Sequence, residues 1–188
     1  MALFSEQADV SVRPAIPGDE LAITDIQLAA WRSAHTPEVG QEVLASLDGG
    51  AIAERWAQAI TAPPGPGYRV LVACEGPDVV GFTAIAPLPA PEESPLAAPG
   101  GEIVSLEVAP VAQRSGHGSR LLAAAVDTLR EDGAAYARTW VLDGDAGRAQ
   151  FLSSAGFGPE EAVRELATGI GPDGEARTVT EHLWGATI

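Results

Sequence analysis

Gln113-Arg114-Ser115-Gly116-His117-Gly118 is the segment best suited to chemistry, and the chemistry would be holding an anion. It follows an apolar run, Gly101 to Ala109, that Pro110 halts. It precedes Leu121, Leu122, Ala125, Val126 and Leu129, a stripe at helical spacing that Gly133 closes. A strand that passes through a two-glycine turn into a helix leaves backbone N–H groups unpaired at the positive end of the helix dipole. Glycine suits such a turn because a side chain would hold the anion away from the backbone. Spacing then narrows the choice of anion. A triphosphate loop needs Gly-x4-Gly-Lys-Ser/Thr, and the chain has no lysine. A dinucleotide fingerprint needs a third glycine where Leu121 stands. What remains is Gln-x-x-Gly-x-Gly between a strand and a helix.

Two carboxylates, Glu102 and Glu107, lie on the strand just upstream. Strict alternation puts 103, 105 and 107 on one face and 102, 104 and 106 on the other, so they are expected to face opposite ways. A carboxylate sheltered by apolar neighbours is suited to taking a proton near neutrality, while a solvated strand-end Glu is the competing reading of Glu102. Other chemistries are poorly supported. His35, His117 and His182 are dispersed and offer no metal-ligand spacing, so no metal is expected, and His117 is expected to be solvent-exposed. Asp143-Gly144-Asp145-Ala146-Gly147 resembles the start of a calcium loop, but Gly147 and Ser154 stand where ligands are needed. No serine sits in a Gly-x-Ser-x-Gly elbow. Trp31, Trp56, Trp140 and Trp184 read as core aromatics.

The elements that must position these residues follow from periodicity and breakers. Asp9 to Arg13 reads as a strand. Gly18-Asp19 opens a helix with Leu21, Leu28 and Trp31 on roughly one side, ending near His35-Thr36-Pro37. A second helical region spans about 37–60, broken at Gly49-Gly50, with Ile52, Trp56 and Ile60 at spacing four. Tyr68 to Cys74 and Val79 to Ala86 flank Glu75-Gly76-Pro77-Asp78 as a hairpin. The proline-rich stretch Pro87 to Gly100 reads as a long loop. Then come the Gly101–Ala109 strand, a helix from Gly116 to Asp132, a strand from Ala135 to Leu142, and a short helix from Asp145 to Ala155. A last hairpin, Ala162 to Ile170 and Arg177 to Trp184, turns at Gly171-Pro172-Asp173-Gly174. The order β-α-α-β-β-β-α-β-α-β-β predicts an α/β chain, a mixed sheet with helices on both faces. It forms one domain over 1–188, with an ordered core at about 10–185.

Composition sets the outer limits. The chain has 188 residues and a formal net charge of −15, with 11 basic residues that are all arginine. Such a surface repels phosphate backbones, which argues against nucleic acid as a partner and mildly favours a cationic or amine-bearing substrate. No apolar run approaches the ~20 residues that span a bilayer, so no membrane partner is expected. Cys74 is the sole cysteine, which excludes an internal disulfide framework. With no signal-peptide pattern at the start, the expected compartment is the cytoplasm.

The loop in its strand-loop-helix setting resembles motif A of the GNAT (Gcn5-related) N-acetyltransferases. Leu28-Ala29-Ala30-Trp31-Arg32-Ser33-Ala34-His35, Arg55-Trp56, Val79-Val80-Gly81-Phe82 and Leu142-Asp143-Gly144-Asp145…Phe151-Leu152…Gly156-Phe157 have counterparts in that family too. The resemblance implies a GNAT fold with a central mixed sheet of about seven strands, acetyl-CoA as cofactor and coenzyme A as product. Acetyl would pass to a primary amine of a small molecule or peptide, and a homodimer is compatible with such folds. Gln113, Arg114, Ser115, Gly116, His117, Gly118 and Ser119 would then cradle the pyrophosphate, with Asp145 and Phe151 also on the cofactor. The amide of Val108 would stabilise the thioester oxygen, and backbone groups of Ala109 would line the same slot. Glu102 matches the position of the general base in histone-acetyltransferase-like relatives, with Glu107 as its competitor. Trp31, His35 and Glu107 fall on the acceptor side. The sequence departs at Leu152, where the family commonly has the tyrosine that protonates the thiolate. Another group such as His35 or Tyr68, or water, supplies the proton, or the protein binds acyl-CoA with weak catalysis as a sensor or regulatory protein. Asp145 replaces the helix-opening Asn.

Overall fold

The computed structural model describes residues 10–90, 97–170 and 176–188. A seven-stranded mixed sheet runs in the order β1-β2-β3-β4-β5-β7-β6. Its strands are β1 (Val10–Pro14), β2 (Arg69–Glu75), β3 (Asp78–Leu88), β4 (Gly100–Val108), β5 (Tyr136–Leu142), β6 (Gly158–Ile170) and β7 (Ala176–Thr187). All neighbours are antiparallel except β4 and β5. The helices are α1 (Asp19–Ala34), α2 (Thr36–Val39), α3 (Gln41–Ala45), α4 (Gly49–Thr61), α5 (His117–Glu131) and α6 (Ala146–Ser154). Helices cover both faces, as the element order predicted. The turn at Gly171–Gly174 and part of the proline-rich loop lie outside the described residues.

Two apolar clusters fix the layers. On one face, Leu121, Leu122, Ala125 and Leu129 of α5 bury against Ile85, Ile103, Leu106 and Val108, joined by Leu152 and Phe157. Full burial of a leucine contributes roughly 2 kcal/mol, so this stripe holds α5 to the sheet. On the other face, Ile23 and Ile26 of α1 and Trp56 and Ile60 of α4 cover Val70, Val72, Phe82 and Ala84. Trp56 meets Phe82 edge-on, ring centroids 5.0 Å apart. Leu21 points to solvent at 64 % exposure, because the buried face of α1 is set by Ile23, Ile26 and Ala30 instead. The tryptophans are half-buried rather than central, and Trp140 lies under the Arg164 guanidinium at 4.2 Å.

Local chemistry explains two boundaries. Gly49-Gly50 does not break the second helical region. Asp48 caps α4, accepting from the amides of Gly50 and Ala51, and the break falls just before it. At the start of α1, Arg13 of β1 donates both Nη groups to the buried Asp19 carboxylate, at 2.7 and 3.1 Å, and the Ile16 amide adds a third bond at 2.9 Å. The Arg13 hydrogen bonds hold the Asp19 carboxyl below the usual carboxylate range, outweighing burial, and Asp19 in turn raises Arg13.

Candidate active site

β4 and β5 pair only at Gly101–Ala137 and Glu102–Arg138. Thr139 Oγ1 donates to the Ile103 carbonyl at 2.8 Å, and beyond that point the strands part. The opening becomes a groove of about 610 Å³. Its walls are β4 (Ile103, Leu106, Glu107, Val108), the loop and start of α5 (Gln113, Arg114, Gly116, Gly118, Ser119) and α6 (Arg148, Phe151, Leu152). Ala30 and Ala34 of α1 line the far end, so the groove reaches both faces of the sheet.

The edge of β4 facing this groove offers backbone groups. Ala109 N–H is bound to Val80 O, whereas the Val108 carbonyl accepts from Gln113 Nε2 and the Leu106 carbonyl from Arg148. Ladder alternation therefore turns the amides of Leu106 and Val108 toward the groove. Ala109 does not line the slot as expected. Its N–H is spent on Val80, and its carbonyl accepts from Ala112 N–H at 2.8 Å.

At the groove's open end, Gly116 caps α5 with φ 83°, and no side chain among the described residues bonds the first amides of the helix. The first α5 amide bonded back to the cap is that of Arg120, to Gly116 O, which leaves the N–H groups of His117, Gly118 and Ser119 without helical partners. Arg114 takes φ 63° to make the turn, and Arg120 Nη1 braces it on Ser115 O at 3.1 Å. Ser115 itself is exposed and off the groove wall. His117 is the clearest correction. Its imidazole is 1 % exposed, with Nε2 3.5 Å from Glu75 of β2 and Nδ1 without a partner among the described residues. The side chain anchors α5 to β2, and what it can offer the groove is its backbone N–H.

The carboxylates correct the expected facing. Opposite β3, Ala84 pairs with Ser105 but Ile85 pairs with Ile103, so Val104 is an extra residue, a β-bulge. The bulge resets the alternation. Glu102 lies opposite Ala86 and Glu107 opposite Phe82, and both carboxylates share the α1 face. Glu107 lines the groove and is held by Arg148 Nη2 at 2.7 Å. Glu102 is half-buried at the last β4–β5 pair, outside the groove lining, with no hydrogen bond or ion pair from its side chain among the described residues.

On α6, Asp145 caps the helix by accepting from Arg148 N–H at 2.9 Å, and Phe151 and Leu152 face the groove. Leu152 is 3 % exposed and packed in the core. Trp31, His35 and Tyr68 do not line the groove; Ala30 and Ala34 take the α1 positions there. Among the described residues no cluster of His, Cys, Asp or Glu could hold a metal ion, and no helix is long and apolar enough to cross a membrane. Arg148 was missed from sequence. A lone arginine on a short helix carries no local signal, and its role comes from β4, more than forty positions back in the chain.

A strand pair that splays beside an uncapped glycine turn is the arrangement that comparison with known proteins explains. The model of the acetyltransferase (GNAT) family matches residues 23–157. The chain belongs to the GNAT acetyltransferase family. Among solved structures, this GNAT chain is similar to the PaiA N-acetyltransferase of Thermoplasma acidophilum in complex with coenzyme A, at TM-score 0.73 and 14 % identity over 95 % of this chain and 99 % of that one. It is similar to yncA of Salmonella typhimurium with its cofactor acetyl-CoA, at TM-score 0.63 and 20 % identity over 95 % and 93 %. It also resembles the ribosomal-protein-alanine N-acetyltransferase of Brucella melitensis, at TM-score 0.66 and 22 % identity over 95 % and 99 %. Compared with curated protein sequences, the chain matches none. The fold and the acyl donor class are those of GNAT acetyltransferases, with acetyl-CoA as cosubstrate.

Proposed function

We propose that this GNAT protein is a cytoplasmic N-acetyltransferase that moves acetyl from acetyl-CoA to a primary amine of a small molecule or peptide by direct attack. The observation that carries this reading is the groove itself. Three amides at the start of α5, unpaired among the described residues, stand at one end, groove-facing amides of β4 run inward, and the other end opens between α1 and the sheet. The pyrophosphate of the donor fits the amides of His117, Gly118 and Ser119, with Arg114 and Arg120 beside them. The pantetheine arm fits the unpaired edge of β4, including Val108. An acceptor amine enters from the α1 face, and the net charge of −15 favours a cationic one. The buried free thiol of Cys74 suits a reducing cytoplasm.

Glu102 is the better base of the two carboxylates. Glu107 already holds the Arg148 guanidinium, whereas Glu102 keeps its lone pairs uncommitted among the described residues. Glu102 and Val108 are about 18 Å apart along the strand, too far to act on one carbonyl carbon. Leu106, whose amide also faces the groove, is nearer by about 6 Å, so we assign it the developing oxyanion and leave Val108 to the pantetheine. About 12 Å along the strand still separates Glu102 from Leu106, so the proton reaches the base through a chain of waters. The test is release of the coenzyme A thiol, followed chromogenically across a panel of polyamines, aminoglycosides and basic peptide termini. Turnover with at least one amine, cut roughly 10²-fold or more by Glu102→Gln, is expected. Turnover that survives Glu102→Gln overturns the assignment of the base.

A second reading rests on Leu152, which faces the groove and has no proton to give. An acyl-CoA-binding sensor or regulatory protein of the same fold would bind coenzyme A and release none from acetyl-CoA across the whole panel.

A further inference from the structure

The departing sulfur needs a proton or a counter-charge, and the groove offers few groups that could supply either. Thr139 Oγ1 is committed to Ile103 O, Gln113 Nε2 to Val108 O, and Ser154 Oγ to Phe151 O. Arg114 and Ser119 stand at the phosphate end and are exposed. Beyond that end, Arg148 is the one cation among the described residues that line the groove.

We propose that the Arg148 guanidinium receives the departing sulfur, stabilising the coenzyme A thiolate as the acyl bond breaks, with Glu107 and Asp145 as its positioning residues. The inference rests on the transferase reading above. Arg148 and Leu152 are four residues apart on α6, hence neighbours about 6 Å apart on one helix face, and both line the groove. Arg148 crosses the gap to β4, where Nη2 bonds Leu106 O at 2.9 Å and Glu107 Oε1 at 2.7 Å. Nε lies 3.6 Å from Asp145 Oδ2, and Nη1 has no acceptor among the described residues. The side chain is 20 % exposed, so its field is screened less than that of a surface arginine. The two carboxylates reduce its net field, but they also fix a fork of donors in advance, which is what a transient anion requires. A guanidinium does not give up its proton at neutral pH, so it acts as a counter-charge and not as an acid.

The step balances without a protein acid. The amine nitrogen forms a bond to the acetyl carbon, and its proton passes through water to Glu102. The C–S bond breaks, and its electron pair stays on sulfur as a thiolate paired with Arg148. Solvent protonates the thiolate after release.

The experiment titrates the thiol of bound coenzyme A by the ultraviolet absorbance of its thiolate, which needs no acceptor and no turnover. In the wild-type protein the bound thiol is expected to ionise about 1–2 pH units below free coenzyme A. Arg148→Met should abolish that displacement while changing the coenzyme A dissociation constant less than about threefold, which would correspond to under 1 kcal/mol. Arg148→Lys should keep most of it, and if the Met variant fails to fold, the Lys variant and the wild-type against free coenzyme A decide. In turnover, Arg148→Met should lower kcat tenfold or more with little change in KM for acetyl-CoA, and Leu152→Tyr in that background should restore part of the loss. A bound thiol that ionises like free coenzyme A, or identically in wild type and Arg148→Met, overturns the proposal. If the thiol is displaced as expected but no amine is acetylated, the contact between Arg148 and the sulfur stands, while its part in acyl transfer falls with the transferase reading.

Discussion

Adding one methyl group at Gly118 separates binding from folding. A Cβ there would lie 3.6 Å from Phe151 Cζ and 3.8 Å from Val108 Cγ2, ordinary contact distances, so Gly118→Ala fits the empty protein. Gly118 has no positive φ, so alanine in the first turn of α5 should leave stability unchanged or raise it by up to about 1 kcal/mol. The same methyl stands between Val108 and Phe151, in the slot through which the donor must pass to reach the free amides. Displacing the pyrophosphate from one charge-assisted amide bond costs roughly 1.5–3 kcal/mol, or about 10- to 150-fold in Kd. Gly116→Ala is the contrast. At φ 83° with its Cβ 3.0 Å from Arg120 Nη1, it should lower Tm as well as weaken binding. Calorimetric titration with acetyl-CoA and thermal melts measure both quantities. If Gly118→Ala keeps its Tm and binds acetyl-CoA as tightly as wild type, the donor does not run between α5 and α6, and the cradle is misplaced.

Two further perturbations probe the frame that carries the site. Asp19→Asn removes the charge partner of Arg13 and replaces one of the two acceptor oxygens with an NH2 donor, with an expected loss of about 2 kcal/mol in urea unfolding at pH 7. Because the folded carboxyl ionises below its unfolded value of about 3.9, its stabilisation is present above that pH and is lost as pH falls through the folded value. The gap between wild type and variant should therefore narrow as pH falls below about 4; a gap of unchanged size across that fall would show that the pair does not act through ionisation. Gly81→Ala places a Cβ 2.9 Å from Glu107 O and 3.1 Å from Leu121 Cδ1 inside the β3–β4 ladder. It should cost about 1–3 kcal/mol in chemical denaturation, and a neutral result would mean that β4 can shift at the groove.

What the sequence made legible was local. The α5 stripe, the glycine turn and the β2–β3 turn at Glu75–Asp78 are each set by residues within a few positions, and the structure has them where they were expected. What it hid depends on partners far along the chain. The Val104 bulge is a property of the β3–β4 register, so strict alternation put Glu102 and Glu107 on opposite faces when they share one. His117 reads as a polar loop residue until β2 closes over it. Ala109 keeps the right type for the slot, but its backbone groups are already spent on Val80 and Ala112. Arg148 gains meaning only where β4 and β5 have parted and α6 can reach across.

The central claim is that the groove beside β4 is an acetyl-CoA site with its phosphates on the α5 amides. Calorimetric titration of the unmodified protein with acetyl-CoA, ATP and NAD tests it most directly. Saturable one-to-one binding of acetyl-CoA, stronger than that of either nucleotide, is expected. Absence of acetyl-CoA binding at millimolar ligand, or tighter binding of ATP or NAD, would contradict it.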